Sequence, residues 1–216
     1  MHTPKLSRFL ISALLIGAAC VAVAANLGPD DRQVSFTGAP GTTATDAVSP
    51  DLAFDSTNQR YLLVWSADEA DGDFLIHGQL LTGAAGAPVS PAFTISAPGP
   101  VGTDHRQPAV AYSPEHNQYL VVWSSDVLNT GAYEIMGQLV NADGQLVGAM
   151  RRYSDMGSVD TDTAFDAVTP DLAWLPNLDV FTVAWAADDD LGNLSDGRIE
   201  VYGQHVEVST CTETGS

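Results

Sequence analysis

Hydrophobic positions along this chain fall into short runs that return three times. Tyr61-Leu62-Leu63-Val64-Trp65, Tyr119-Leu120-Val121-Val122-Trp123 and Phe181-Thr182-Val183-Ala184-Trp185 each end in tryptophan. They are largely apolar at successive positions rather than at alternate ones, the pattern of a strand covered on both faces. Ahead of each lies a second run: Asp46 to Phe54, Asp104 to Tyr112 and Asp166 to Trp174. Each places Asp before Pro (Pro50, Pro108, Pro170) and closes on an aromatic. Behind each lies a third: Ile76-His77-Gly78-Gln79-Leu80, Ile135-Met136-Gly137-Gln138-Leu139 and Val201-Tyr202-Gly203-Gln204-His205. β-Branched and aromatic residues fill the runs and turn residues separate them. No stretch beyond the N-terminal apolar segment keeps a helical period, so the expected class is all-β with almost no helix.

These runs define three units of about 60 residues, at about 46–103, 104–165 and 166–208. Four strands are expected in the first: around residues 52–55, 61–66, 74–81 and 92–96. Gly83-Ala84-Ala85-Gly86 and Asn141-Ala142-Asp143-Gly144 supply turn chemistry between third and fourth strands. A four-stranded sheet sandwiched between two others is a propeller-type blade. The three tryptophans are then expected as packing anchors between blades. Val34-Ser35-Phe36-Thr37-Gly38-Ala39-Pro40-Gly41 resembles the fourth-strand segment Ala92 to Gly99, whereas the last unit stops after its third strand near Val208. The expected fold is therefore three four-stranded propeller-type blades with the N-terminal strand permuted. Propellers close with about 4 to 8 blades, so three make an incomplete ring. Two chains joined in a six-bladed homodimer, a truncated arc, or a solenoid-like row with exposed edges each resolve this. The dimer-completed arc is the favoured expectation.

Lys5 and Arg8 precede an apolar run from Phe9 to Ala25 that ends Ala22-Val23-Ala24-Ala25. A basic start, a short apolar stretch and small residues at its end read as a cleaved signal peptide, residues 1–25. This places domain residues 26–208 outside the cytoplasm: secreted, periplasmic or on a bacterial cell surface. No membrane insertion is expected after cleavage. Cleavage takes two positive charges and no acid, moving the formal charge from −19 to −21. Such a chain repels nucleic acid and anionic membrane, which recruit proteins through Lys and Arg. Cys20 leaves with the leader, so Cys211 stands alone in a tail, residues 209–216, expected to be mobile. It is an unpaired tail residue or a bridge between chains.

The Tyr-Leu-Val-Val-Trp run, the variable acidic loop behind it and Ile-x-Gly-Gln resemble a repeat of large secreted bacterial proteins. The resemblance covers nearly all of residues 32–208. It implies a propeller-like fold and an extracellular or envelope location, and no activity.

Candidate chemistry sits in two places. Asp46, Asp104 and Asp166 recur at one position, where they either ring a central face and bind a ligand or cap the turn before proline through a local bond. The loop after each tryptophan varies in length and is rich in acids. Its first and third copies carry Asp68, Asp71 and Asp73, and Asp188, Asp190, Asn193 and Asp196. Oxygen donors of this kind suit Ca²⁺, the one candidate cofactor, although they equally make turns. The loops lack the terminal glutamate of an EF-hand. There is no Gly-x-Ser-x-Gly, no phosphate loop, and no His-Glu-x-x-His. A non-catalytic exported module binding a glycan or protein is therefore the first expectation. A glycan-active propeller enzyme, or its remnant, using acidic loop residues is the alternative.

Overall fold

The computed structural model describes residues 33–35, 45–68, 72–128, 131–156, 164–188 and 198–208. The leader, the tail, the 36–41 portion of the permuted strand, and Asp71, Asp190, Asn193 and Asp196 lie outside the described residues. Eleven strands occur among those described, and no helix. The first sheet contains β1 (Ala47–Asp55), β2 (Arg60–Asp68), β3 (Phe74–Thr82) and β4 (Phe93–Thr94). The second contains β5 (His105–Ser113), β6 (Gln118–Ser125), β7 (Glu134–Asn141) and β8 (Leu146–Arg152). The third contains β9 (Ala167–Leu175), β10 (Val180–Ala187) and β11 (Glu200–Glu207). Every pairing is antiparallel and sequential, so each sheet is a meander. The third sheet has three strands among the described residues, and Gln33–Ser35 form none.

The recurrent proline is explained by a β-bulge. Register slips between Val48 and Asp51 in β1, between Arg106 and Ala109 in β5, and across the matching stretch of β9. The residue before each proline, Ser49, Gln107 or Thr169, takes a left-handed φ of 53°, 55° or 51°. The bulge carries proline, which has no N–H for the ladder, through the strand without leaving an acceptor unserved.

Gly-Gln in the third strand has two separate causes. A Cβ on Gly137 would stand 2.9 Å from the Val121 carbonyl, and one on Gly203 would stand 2.9 Å from that of Val183. The glutamine amide reaches across to the returning chain: Gln79 Nε2 donates to the Ser90 carbonyl at 2.9 Å and Gln138 Nε2 to that of Val147 at 2.9 Å. Gln204 instead donates to the Tyr153 carbonyl of the second sheet.

The core is two apolar slabs, one on each face of the second sheet. Leu62, Val64, Ile76, Leu80 and Ile95 of the first sheet meet Tyr119, Val121, Trp123 and Met136. Leu120, Val122, Ile135 and Leu139 meet Phe181, Val183, Trp185 and Val206 of the third. This accounts for β6 being apolar on both faces. Trp123 and Trp185 anchor interfaces between sheets, as expected. Trp65 differs: it lies on the face of the first sheet turned away from the second and stacks on His77, with ring centroids 5.9 Å apart. An aromatic pair also recurs in each sheet at the first hairpin: Phe54–Tyr61, Tyr112–Tyr119 and Trp174–Phe181, at 4.9, 4.9 and 4.8 Å.

Candidate functional site

Two ends of the sheets carry polar residues. One bears the starts of β1, β5 and β9 with the acidic loops, and the other bears the hairpins 56–59, 114–117 and 176–179.

At the loop end the recurrent aspartates form clasps between neighbouring sheets. Asp104 Oδ1 accepts the Phe74 N–H of the first sheet at 3.3 Å, and Asp166 Oδ1 accepts the Tyr133 N–H of the second at 2.9 Å. These bonds are not the local turn caps anticipated from sequence. Within each sheet the backbone carbonyls of Asp46, Asp104 and Asp166 accept from the N–H of Asp68, Asp126 and Asp188, at 3.0, 3.3 and 3.2 Å. The Asp126 carboxylate also takes the Asp104 N–H at 2.6 Å and the Gly131 N–H at 2.9 Å. Tyr133 lies over this corner, 3.4 Å from Asp104 Oδ2, and burial pushes its phenol up to about 12.

Of the candidate calcium loops, Asp68 Oδ1 accepts the Gly72 N–H at 3.1 Å. Asp73 holds the Gly102 N–H through both carboxylate oxygens, at 2.9 and 3.0 Å. Asp188 is buried at the end of β10. Among the described residues no three His, Cys, Asp or Glu side chains gather as a metal site.

Beneath the loop end, Trp123 Nε1 donates to His105 Nδ1 at 2.9 Å, which places the imidazole proton on Nε2. Burial holds His105 below the ordinary 6.5, against the opposing pull of the Ala97 carbonyl, Asp126 and Asp104. As pH falls through 6.5, the unfolded chain takes up a proton that the folded chain resists, so stability declines on the acid side and is level above it. Urea midpoints at about pH 5.5 and about pH 7.5 should show this loss in the wild type and less of it in His105→Gln. Equal losses in both proteins would contradict it.

The hairpin end holds what sequence inspection missed. A cleft of about 180 Å³ opens between the second and third sheets, lined by His116, Leu178, Asp179, Glu207 and Val208. His116 Nε2 meets Asp179 Oδ1 at 2.8 Å. Trp174 backs it, edge-on to His116 at 5.7 Å, with its indole N–H on Glu115 Oε2 at 2.8 Å. At the first junction the same positions hold Asn58 and Asn117, joined at 2.8 Å. The third hairpin departs by presenting exposed Leu178 where the others have Asn58 and His116. That substitution is the one sequence signal that marks the place.

No family model matches this chain, and no curated protein matches it. Solved structures do. An N-acetylgalactosamine deacetylase from F. plautii, in complex with blood group B trisaccharide, aligns over 82% of this chain and 53% of its own, at 12% identity and a TM-score of 0.53. The GH93 α-L-arabinofuranosidase of Fusarium graminearum, with arabinobiose, aligns over 74% of this chain and 46% of its own, at 16% identity and a TM-score of 0.50. The chain thus spans about half the length of these structures. The likeness shows the fold: an all-β protein whose sheets are the blades of an incomplete β-propeller. No helix among the described residues is long and apolar enough to cross a membrane.

Proposed function

We propose that this chain is a non-catalytic glycan-binding propeller module, exported from the cytoplasm, whose ligand seats in the cleft between the second and third blades. The observation that carries this reading is the composition of that cleft. A sugar presents an apolar C–H face together with hydroxyl donors. Leu178 and Val208 offer apolar surface, while the Asp179 and Glu207 carboxylates offer acceptors and the His116 ring a further polar edge. Its small volume suits one sugar residue at a chain end rather than a long oligosaccharide, since drug-sized pockets run to about 300–1,000 Å³. Both solved structures named above, a deacetylase and an arabinofuranosidase, hold an oligosaccharide, which supports the ligand class and supports at least as well a second reading, a glycan-active propeller enzyme or its remnant. At the loop end, the carboxylates of Asp104, Asp126 and Asp166 serve as clasps on backbone N–H groups, which favours binding over hydrolysis.

Calorimetric titration with a panel of mono- and disaccharides tests this. The wild-type protein should bind at least one sugar. Asp179→Asn, which keeps a residue tolerant of the 57° φ at this position, and His116→Ala should each weaken binding by about tenfold, the worth of a charge-assisted hydrogen bond. Binding unchanged in both variants, or sugar hydrolysed during the titration, would overturn the reading.

A further inference from the structure

Each internal blade junction is made the same way, and the two ends of the arc hold the halves of one more. At the junctions the aspartate starting one blade takes the N–H at the head of the previous blade's third strand: Asp104 from Phe74, Asp166 from Tyr133. The remaining aspartate is Asp46, on the first blade, and the remaining N–H is that of Ile199, on the third. Both residues are exposed, and among the described residues neither group has a partner.

The apolar side chains follow suit. On the first blade Leu52 is 56% and Phe54 42% exposed, whereas their counterparts Val110 and Tyr112 are 6% and 8% exposed beneath a neighbouring blade. On the third blade Val201 is 80% exposed, whereas its counterparts Ile76 and Ile135 are fully buried. The third blade's outer face is also softened. Thr182 and His205 stand where the first and second blades have Leu62 or Leu120 and Leu80 or Leu139, and Ala184 where they have Val64 or Val122. A face of that kind stays soluble when unpaired, as a reversible interface must.

We propose that two copies of this chain associate head to tail, the outer face of the first blade of each seating on the outer face of the third blade of the other. The junction continues the one already made twice within the chain, with Asp46 accepting the Ile199 N–H of its partner. Closure after two copies, rather than a filament, follows from the blade number: two three-bladed arcs make six blades, within the usual 4 to 8 of a closed propeller.

Light scattering on the exported protein, over a range of concentrations, tests this with one variant at each end. The wild type should reach the mass of two protomers and go no further. Leu52→Asp with Phe54→Asp, and separately Val201→Asp, should each give monomers whose circular dichroism matches the wild type, because the altered positions are exposed. Mixing the two variants should restore a heterodimer through the one junction left intact. Asp46→Ala should weaken association by about tenfold at each junction. A wild-type protein that stays monomeric, or a Val201→Asp variant that still dimerises as a face-to-face pair would, would overturn the proposal.

Discussion

Trp123→Ala is expected to lower folding stability by about 3–5 kcal/mol, the largest loss among the tryptophan variants. The indole is fully buried in the slab between the first and second blades, and its N–H occupies His105 Nδ1. Alanine leaves a cavity that two rigid sheets close poorly, and strands the buried imidazole without its donor. Trp65→Ala should cost less, because Trp65 faces away from the second blade and lies outside that slab. Urea denaturation with a common slope measures both. Equal losses would show that the slabs are not the seat of stability.

Arg152→Leu should cost about 3 kcal/mol, at the lower end for breaking a buried pair because the Arg152 side chain is 23% exposed. The Glu134 side chain is 7% exposed; it meets Arg152 Nη2 at 2.6 Å, accepts the Met156 N–H at 3.0 Å and takes the Ser154 hydroxyl. Losing Arg152 leaves a buried carboxylate without its counter-charge. The first blade shows the neutral solution: Leu75 and Thr94 stand at the matching positions, while Ser96 repeats the Ser154 bond by accepting the Ile76 N–H at 3.0 Å. Glu134→Leu with Arg152→Thr should therefore be more stable than Arg152→Leu alone. A double variant less stable than the single one would contradict this account of the pair.

The strands were legible because their causes are local. Successive apolar positions bounded by turn residues mark β2, β6 and β10, and internal repetition fixes the order of the rest. What lay beyond sequence was the partner of each polar group. The Asp104 and Asp166 carboxylates reach backbone 30 and 33 residues back, because the head of one blade's third strand lies beside the start of the next blade. A repeated aspartate before proline is compatible with a ligand ring, a turn cap or this clasp, and only the packing of sheets separates them. The cleft was hidden for the same reason: His116 and Asp179 are 63 residues apart and meet because two hairpins stack. Trp65 shows the converse. Its motif is shared with Trp123 and Trp185 and it is as buried as they are, yet it packs on His77 rather than in either slab between sheets.

If two copies pair head to tail, each assembly carries two clefts at fixed separation, and a ligand with two sugar ends gains avidity without new contacts. Association should also strengthen with salt, since the formal charge of −19, or −21 without residues 1–25, opposes approach.

Chemical-shift mapping shows whether the cleft at the hairpin end receives a sugar. In protein labelled at its leucine methyls and its four tryptophan indoles, a bound sugar should move the Leu178 methyls and the Trp174 indole N–H while leaving Leu62 and Trp123 in place. Shifts confined to the loop end, or none at any sugar concentration, would contradict that placement.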